Sequence, residues 1–120
     1  MAIFGYGRVS TSQQDTENQR LELEQAGWTF DFWFTDVVSG KVPAVQRKEF
    51  SEMLSKIRDG ETLVVAKLDR LGRDAIDVLQ TVRTLADRNI KVIVHQLGTT
   101  ELTSAAGKLL LSMLAAVAEM

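Results

Sequence analysis

Cysteine is missing from all 120 residues, which excludes disulfides, a thiolate nucleophile and zinc sites built on sulfur. Histidine is almost missing. The single His95 cannot form a metal cluster, and after the apolar run Val92-Ile93-Val94 it reads as a strand-end or core residue. Long apolar runs are lacking as well. The stretch from Leu109 to Ala118 is broken by Ser112, flanked by Lys108 and Glu119, and short of the ~20 residues a membrane span requires. No basic leader precedes an apolar segment, so a signal peptide is not expected and the protein is expected to be soluble and cytoplasmic. Nor is there a basic excess: 14 lysines and arginines face 16 acids, for a net charge of −2. Bulk charge therefore gives no support to nucleic-acid binding. If such a chain handles DNA, its cations must be concentrated at one place and most of its affinity must come from elsewhere.

What is present is ordinary globular material, 45% hydrophobic and 25% charged, in a length that suits one domain with one core. Internal repeats and low-complexity tracts are absent. Ile3 to Val9 predicts a strand. Thr11 to Ala26 predicts a polar helix with Leu21, Leu23 and Ala26 as its apolar content and Gly27 as its stop. Thr29 to Thr35 alternates, with Phe30, Phe32 and Phe34 on one face of a second strand, and a turn-rich loop follows from Asp36 to Pro43. Phe50, Met53, Leu54 and Ile57 fall at i, i+3, i+4 and i+7 and predict a helix ended by Gly60. Thr62 to Ala66 reads as a buried strand, Arg73 to Arg88 as a helix carrying Ile76, Leu79, Val82, Leu85 and Ala86, and Lys91 to His95 as a fourth strand.

A last helix starts near Thr103 or Ser104 and is apolar nearly all round through Leu109, Leu110, Leu111, Met113, Leu114 and Val117. A helix of that kind needs cover on most faces. One face is expected on this domain's own sheet. The remainder, drawn from Leu109, Leu110, Met113, Leu114 and Val117, is expected against another subunit. The chain stops inside this helix without a cap, so it is expected to be part of a longer protein. The alternation of elements predicts an α/β fold: a mostly parallel sheet of four to five strands in the order 2-1-3-4, helices on both faces, and right-handed crossovers. Residues 1–102 form the α/β domain on this reading, and 103–120 begin a long C-terminal helix.

The residues that carry chemistry lie at strand ends. Ser10 and Thr11 follow a strand that ends around Arg8, at the carboxyl edge where α/β folds bind ligands. A hydroxyl close to a guanidinium suits attack on a phosphate. The plainer alternative is that Ser10 and Thr11 merely cap the next helix. Lys67-Leu68-Asp69-Arg70-Leu71-Gly72-Arg73-Asp74 follows the third strand. Where it is helical, Arg70 and Arg73 are three apart and Asp69 and Arg73 four apart, so all share a face. Two guanidiniums on one face clamp a tetrahedral oxyanion. An exposed helix start with an Asp-Arg pair of little energetic weight is an equal alternative for that stretch alone. With strand order 2-1-3-4, however, strands one and three are neighbours at the topological switch point, and Ser10, Arg8, Arg70 and Arg73 converge on one pocket.

Tyr6-x-Arg8-Val9-Ser10-Thr11, then Asp36…Ser39-Gly40 with Arg47 beyond it, then Leu68-Asp69-Arg70-Leu71-Gly72-Arg73 follow one another in order. With Gly107-Lys108 opening an apolar Leu-Ala-Ala helix, the chain resembles, over essentially its whole length, the catalytic domain of the small serine recombinases, the resolvase/invertase family. The resemblance implies a site-specific recombinase in which Ser10 attacks a DNA phosphodiester, forms a 5′-phosphoserine link and frees a 3′-hydroxyl. It implies that Arg8, Arg70 and Arg73 surround the scissile phosphate with Asp69 among them, and that Gln19, Arg47 and Lys56 support the site. It further implies a last helix used for dimerisation, and a tetramer that cuts both duplexes, rotates one half and rejoins the strands. Two departures stand out. The family usually continues through a Glu-Arg pair into a linker and a helix-turn-helix domain, whereas this sequence stops at Ala118-Glu119-Met120, and the position before Lys67, often basic in relatives, is Ala66.

A metal-free mechanism is consistent with these residues, because phosphoryl transfer needs mainly positioning and charge neutralisation, which several arginines can supply. No cofactor is expected, since a phosphoserine bond conserves the energy of the DNA linkage. His95 lies on a different strand, so a Ser-His-Asp triad is not expected, and the group that deprotonates Ser10 is left among the arginine field, Asp69 and solvent. Gly5-Tyr6-Gly7 suggests a dinucleotide site, but the sixth position of the motif is Ser10 rather than glycine, and Gly107-Lys108 lacks the rest of a Walker A pattern. The competing reading from another class is a recombinase-like domain that only oligomerises or regulates, against which the intact Ser10, Arg70 and Arg73 count.

Overall fold

Ile3–Val9 (β1), Phe32–Val37 (β2), Thr62–Val65 (β3) and Lys91–Val94 (β4) form one parallel sheet in the order β2-β1-β3-β4. The structure is a computed structural model and describes residues 1–11, 13–98, 101–102 and 104–118, with backbone alone at 13, 14, 117 and 118. Phe4 and Tyr6 of β1, Leu63 and Val65 of β3, and Val92 and Val94 of β4 build the main core on one face. Helices α2 (Lys48–Lys56), α3 (Ala75–Asp87) and α4 (Ala105–Ala118) cover it. The opposite face carries α1 (Gln13–Gln25), whose Leu23 packs with Phe30, Val64 and Ala66. Full burial of a side chain such as Leu23 contributes about 1.5–3 kcal/mol. The strand order and the placement of helices on both faces are those the alternation implies, with four strands.

Several boundaries move, each for a physical reason. β2 begins at Phe32 rather than Thr29 and runs through Val37, so the alternation is broken at its start. Phe32 and Phe34 stack with Phe4 on the main-core face, whereas Phe30 precedes the strand and packs against Trp33 on the other. Of the apolar residues of α1 only Leu23 is buried; Leu21 and Ala26 are exposed, and Gly27 ends that stretch with φ +109°. α2 stops at Lys56, ahead of Gly60, because Ile57 is already extended and the Arg88 guanidinium donates to the carbonyls of Leu54 and Ile57. α3 starts at Ala75, not Arg73, with Asp74 as its N-cap accepting from the Asp77 amide, and Ile76 lies exposed beside the buried Val78, Val82 and Leu85. β4 ends at Val94, and His95 opens a 3₁₀ turn.

Ser104 Oγ accepts the Gly107 amide at the start of α4, while Thr103 lies outside the described residues. Gly107 is where α4 meets the chain before it: a Cβ there would run into the backbone of Glu101 and Leu102. Among the described residues no helix is long and apolar enough to cross a membrane.

Sheet and α2 are joined by a buried polar knot. Asp36, at the end of β2, accepts from the Tyr6 hydroxyl at 2.8 Å and from the amides of Glu49 and Phe50, both at 3.0 Å. It thereby satisfies two of the N–H groups that α2's first turn leaves unpaired. Burial, then the hydrogen bond to Asp36 and its charge, hold the Tyr6 hydroxyl well above the usual phenol range.

The sign of the resulting pH dependence follows. The folded state keeps a proton that the unfolded chain releases from about pH 10, so stability is full below that pH and falls above it by about 1.4 kcal/mol per pH unit. Tyr6 is the chain's only tyrosine, so tyrosinate absorbance reports it alone. Its ionisation is expected to coincide with alkaline unfolding, and Tyr6→Phe to remove the alkaline slope. A free titration near pH 10 in the folded protein would contradict the knot.

Candidate active site

All the loops that follow the four strands open on one edge of the sheet, and the polar residues picked out from the sequence gather there for three local reasons. The first is Gln19. From α1 its Oε1 accepts the Arg8 amide at 3.3 Å and the Arg70 Nε at 3.2 Å, while its Nε2 donates to the Arg8 carbonyl at 3.0 Å. One side chain thus ties the end of β1 to an arginine that follows Gln19 itself by fifty-one residues. The second is the loop after β2. Nη1 of Arg8 donates to the Val38 carbonyl at 3.1 Å, and a Cβ at Gly40 would lie 3.3 Å from Arg8 Nη2. The third is Arg47, fully buried, whose Nε donates to the Val42 carbonyl at 3.0 Å and whose Nη1 donates to the Arg70 carbonyl at 2.9 Å.

The cluster carries uncompensated positive charge. Burial first, then the neighbouring guanidiniums of Arg70 and Arg47, hold Arg8 below the ordinary arginine value, with Asp69 opposing. Asp69 is the acid that engages Arg70, at 2.6 Å, with its own side chain largely in solvent. Among the described residues Arg8 Nε and Arg47 Nη2 are buried with no hydrogen-bond partner. Ser10 lies exposed two residues beyond Arg8, just past the strand end fixed by the bond from the Val38 amide to the Val9 carbonyl. Thr11, the other candidate capping residue, is exposed too.

Two of the sequence-derived candidates stand apart. Leu68–Leu71 is a 3₁₀ turn that breaks at Gly72, so Arg70 and Arg73 do not share a helical face. Arg70 is 13% exposed and turned inward, whereas Arg73 is 52% exposed and pairs with Asp74 at 3.5 Å. Arg73 lines a cleft of about 350 Å³ with Lys67, Asp69, Asp74 and Leu114, a wall that does not include Ser10. Lys56 lies at the end of α2 with its ammonium 5.6 Å from the Phe34 ring centre, in a surface hollow with Phe4, Phe32 and Glu61. That hollow is at the amino edge of the sheet, so the structure does not bring Lys56 to the cluster. The sequence marks Asp36 only as part of the Asp36…Ser39-Gly40 stretch that carries the resemblance; its role as the buried acceptor of the Tyr6 hydroxyl and of two α2 amides comes from the fold.

The family model described as Resolvase, N terminal domain, matches residues 3–120. The chain belongs to the resolvase N-terminal domain family. This resolvase domain is 44% identical over 119 residues to a Transposon Tn2501 resolvase of Escherichia coli and 40% identical to Serine recombinase PinR of Escherichia coli strain K12. In each case the match covers 98% of the chain and 61% of the relative, so the chain spans about three-fifths of these relatives' length. Among solved structures, the N-terminal catalytic domain of TP901-1 integrase superposes with a TM-score of 0.78 at 30% identity, covering 98% of this chain and 93% of that one. A resolvase family site-specific recombinase from Streptococcus pneumoniae gives 0.73 at 27%, covering 98% and 85%.

An anion bound where Arg8, Arg70 and Arg47 crowd relieves their mutual repulsion, so the domain is expected to gain stability from inorganic phosphate at constant ionic strength. At ten times its Kd the gain is about 1.4 kcal/mol. Arg8→Gln is expected to abolish the difference. Equal thermal midpoints in phosphate and in chloride for the unmodified protein would contradict an anion site.

Proposed function

We propose that this domain is the catalytic part of a serine site-specific recombinase that cuts and rejoins DNA through a 5′-phosphoserine intermediate. The observation that carries the reading is the join made by Gln19, which sets the Arg70 guanidinium beside the backbone of Arg8, two residues from the exposed Ser10. Ser10 Oγ attacks the scissile phosphorus, the Oγ–P bond forms and the P–O3′ bond breaks. The 3′-hydroxyl leaves with a proton, and rejoining runs the same step backwards. Arg8 and Arg70 neutralise the charge that builds on the phosphoryl oxygens. Arg73 completes the clamp by turning from Asp74 towards the phosphate. The Ser10 proton goes to the arginine field, Asp69 or solvent. Arg47 supports the site from behind through the Arg70 carbonyl. Lys56 is given no part in it.

The reaction draws on no nucleotide, because the phosphoserine ester stores the energy of the broken linkage. DNA affinity comes mainly from outside these residues, in keeping with the net charge of −2. The test is to incubate the full-length protein with DNA carrying its crossover site and resolve the products on a denaturing gel. Wild type is expected to give a covalent adduct and Ser10→Ala none. No adduct with wild type, or an adduct with Ser10→Ala, overturns the reading in favour of a non-catalytic, oligomerising or regulatory domain.

Self-association through α4 belongs to the same proposal, as a dimer that becomes a tetramer when active. Leu110 and Leu114 pack partly on this domain's own core, whereas Leu109 and Met113 are 65% and 59% exposed on the outer side of α4. The Val117 side chain lies outside the described residues. Sedimentation is expected to show association that Leu109→Glu with Met113→Glu abolishes. A strictly monomeric wild type at high concentration would remove the interface.

A further inference from the structure

We infer that Asp77 is a positioning residue that sets where Arg73 stands at the site, an inference that rests on the recombinase reading above. Asp77 is the third residue of α3, where an acidic side chain favours the helix dipole and, in a capping box, reaches back to the N-cap amide. Here its Oδ2 accepts two backbone N–H groups from segments outside the helix: that of Arg73 at 2.7 Å and that of Ala44 at 3.0 Å. The helix start does not need this carboxylate as its N-cap, because Asp74 fills that place by accepting the Asp77 amide at 2.9 Å.

Gly72 provides the room. Its backbone is extended, so no unusual conformation calls for glycine there. A Cβ at 72 would, however, lie 2.6 Å from the Val78 nitrogen and 3.0 Å from Asp77 Oδ2. The backbone around Gly72 and Arg73 is therefore pressed onto α3 and pinned by Asp77. The same carboxylate holds Ala44, which begins the 3₁₀ turn Ala44–Gln46 leading into Arg47, and Arg47 in turn holds the Arg70 carbonyl. The segment that bears both arginines is thus anchored twice to residues 44–47, once at each end. Arg73's guanidinium is half-exposed and pairs with the exposed Asp74, and any arc it sweeps on leaving that pair starts from the backbone that Asp77 fixes. Misplacing a clamp group by ~1 Å costs about 100-fold in rate.

The test uses full-length protein and crossover-site DNA at saturation. Asp77→Ala is expected to slow adduct formation by about 10- to 100-fold while DNA binding by gel shift stays within about twofold. Asp77→Asn, whose amide oxygen accepts both N–H groups, is expected to restore the rate to within about fivefold of wild type. Hydrogen exchange at the Arg73 and Ala44 amides is expected to quicken in Asp77→Ala, with the remaining amides unchanged. A merely structural role would not confine the change to those two.

Should Asp77→Ala fail to fold, Asp77→Glu keeps the charge and displaces the carboxylate by one methylene, with the same expectation. The inference is overturned if Asp77→Ala reacts within about threefold of wild type, if its loss follows a lowered denaturation midpoint, or if Asn is as impaired as Ala. It is also overturned if exchange at 73 and 44 is unchanged. Failure of the wild type to form an adduct would overturn the recombinase reading instead, and the exchange measurement still judges the clamp.

Discussion

Guanidiniums repel one another, and the carboxyl edge of this sheet is arranged to hold them together without neutralising them. Arg8 donates to the Val38 carbonyl, and Arg47 to the carbonyls of Val42 and Arg70. Arg70 takes the Gln19 amide oxygen. These acceptors are neutral; they fix direction and leave the positive charge in place. Asp69 offsets it in part, from a position in solvent where an ion pair contributes little. A chain with more acids than bases can in this way gather a small cluster of positive charge at one edge of its sheet.

That arrangement depends on the loop after β2 lying where Arg8 can reach it, and the Asp36 knot secures this. Asp36 joins β1 through the Tyr6 hydroxyl and α2 through two backbone amides. A buried carboxylate is costly unless it is well hydrogen-bonded, and three donors meet that condition. The loop from Val38 to Arg47 is consequently held at its start by the strand and at its end by the helix. Arg47 then reaches back across it to Val42 and sideways to Arg70. Core packing places the sheet and helices; these few polar bonds place the arginines on them.

The division between what the sequence reveals and what it hides follows from the same distinction. Strand order, helices on both faces, and Ser10 and Arg70 at one edge are legible, because apolar periodicity and chain alternation record packing against a sheet. The β2 register is harder to read, since an edge strand exposes Phe32, and Phe30 satisfies the same alternation from outside the strand. Arg73 shares a face with Arg70 only if the segment is helical, and the break at Gly72 depends on crowding against α3 that no spacing reveals. Arg47 as a buried residue and Asp36 as a cap rest on bonds between a side chain and a distant backbone. Such bonds have no period. Lys56 illustrates the converse, since a cation suited to the site by resemblance lies over Phe34 because α2 delivers its last turn to the opposite edge.

α4 connects these two kinds of contact. Gly107 lets the helix approach the backbone of Glu101 and Leu102 without a side chain between them, which fixes its first turn against the domain. From there its inner residues Leu110, Leu111 and Leu114 reach the main core, and Leu109 and Met113 are carried to the outside. Leu114 also stands in the wall of the cleft that Arg73 lines. One helix therefore bears an uncovered apolar strip on its outer side and part of Arg73's surroundings on its inner side. Leu114 thus faces the cleft from the same helix whose Leu109 and Met113 lie exposed, so the two surfaces are carried by one element whose place is set by its packing on the core.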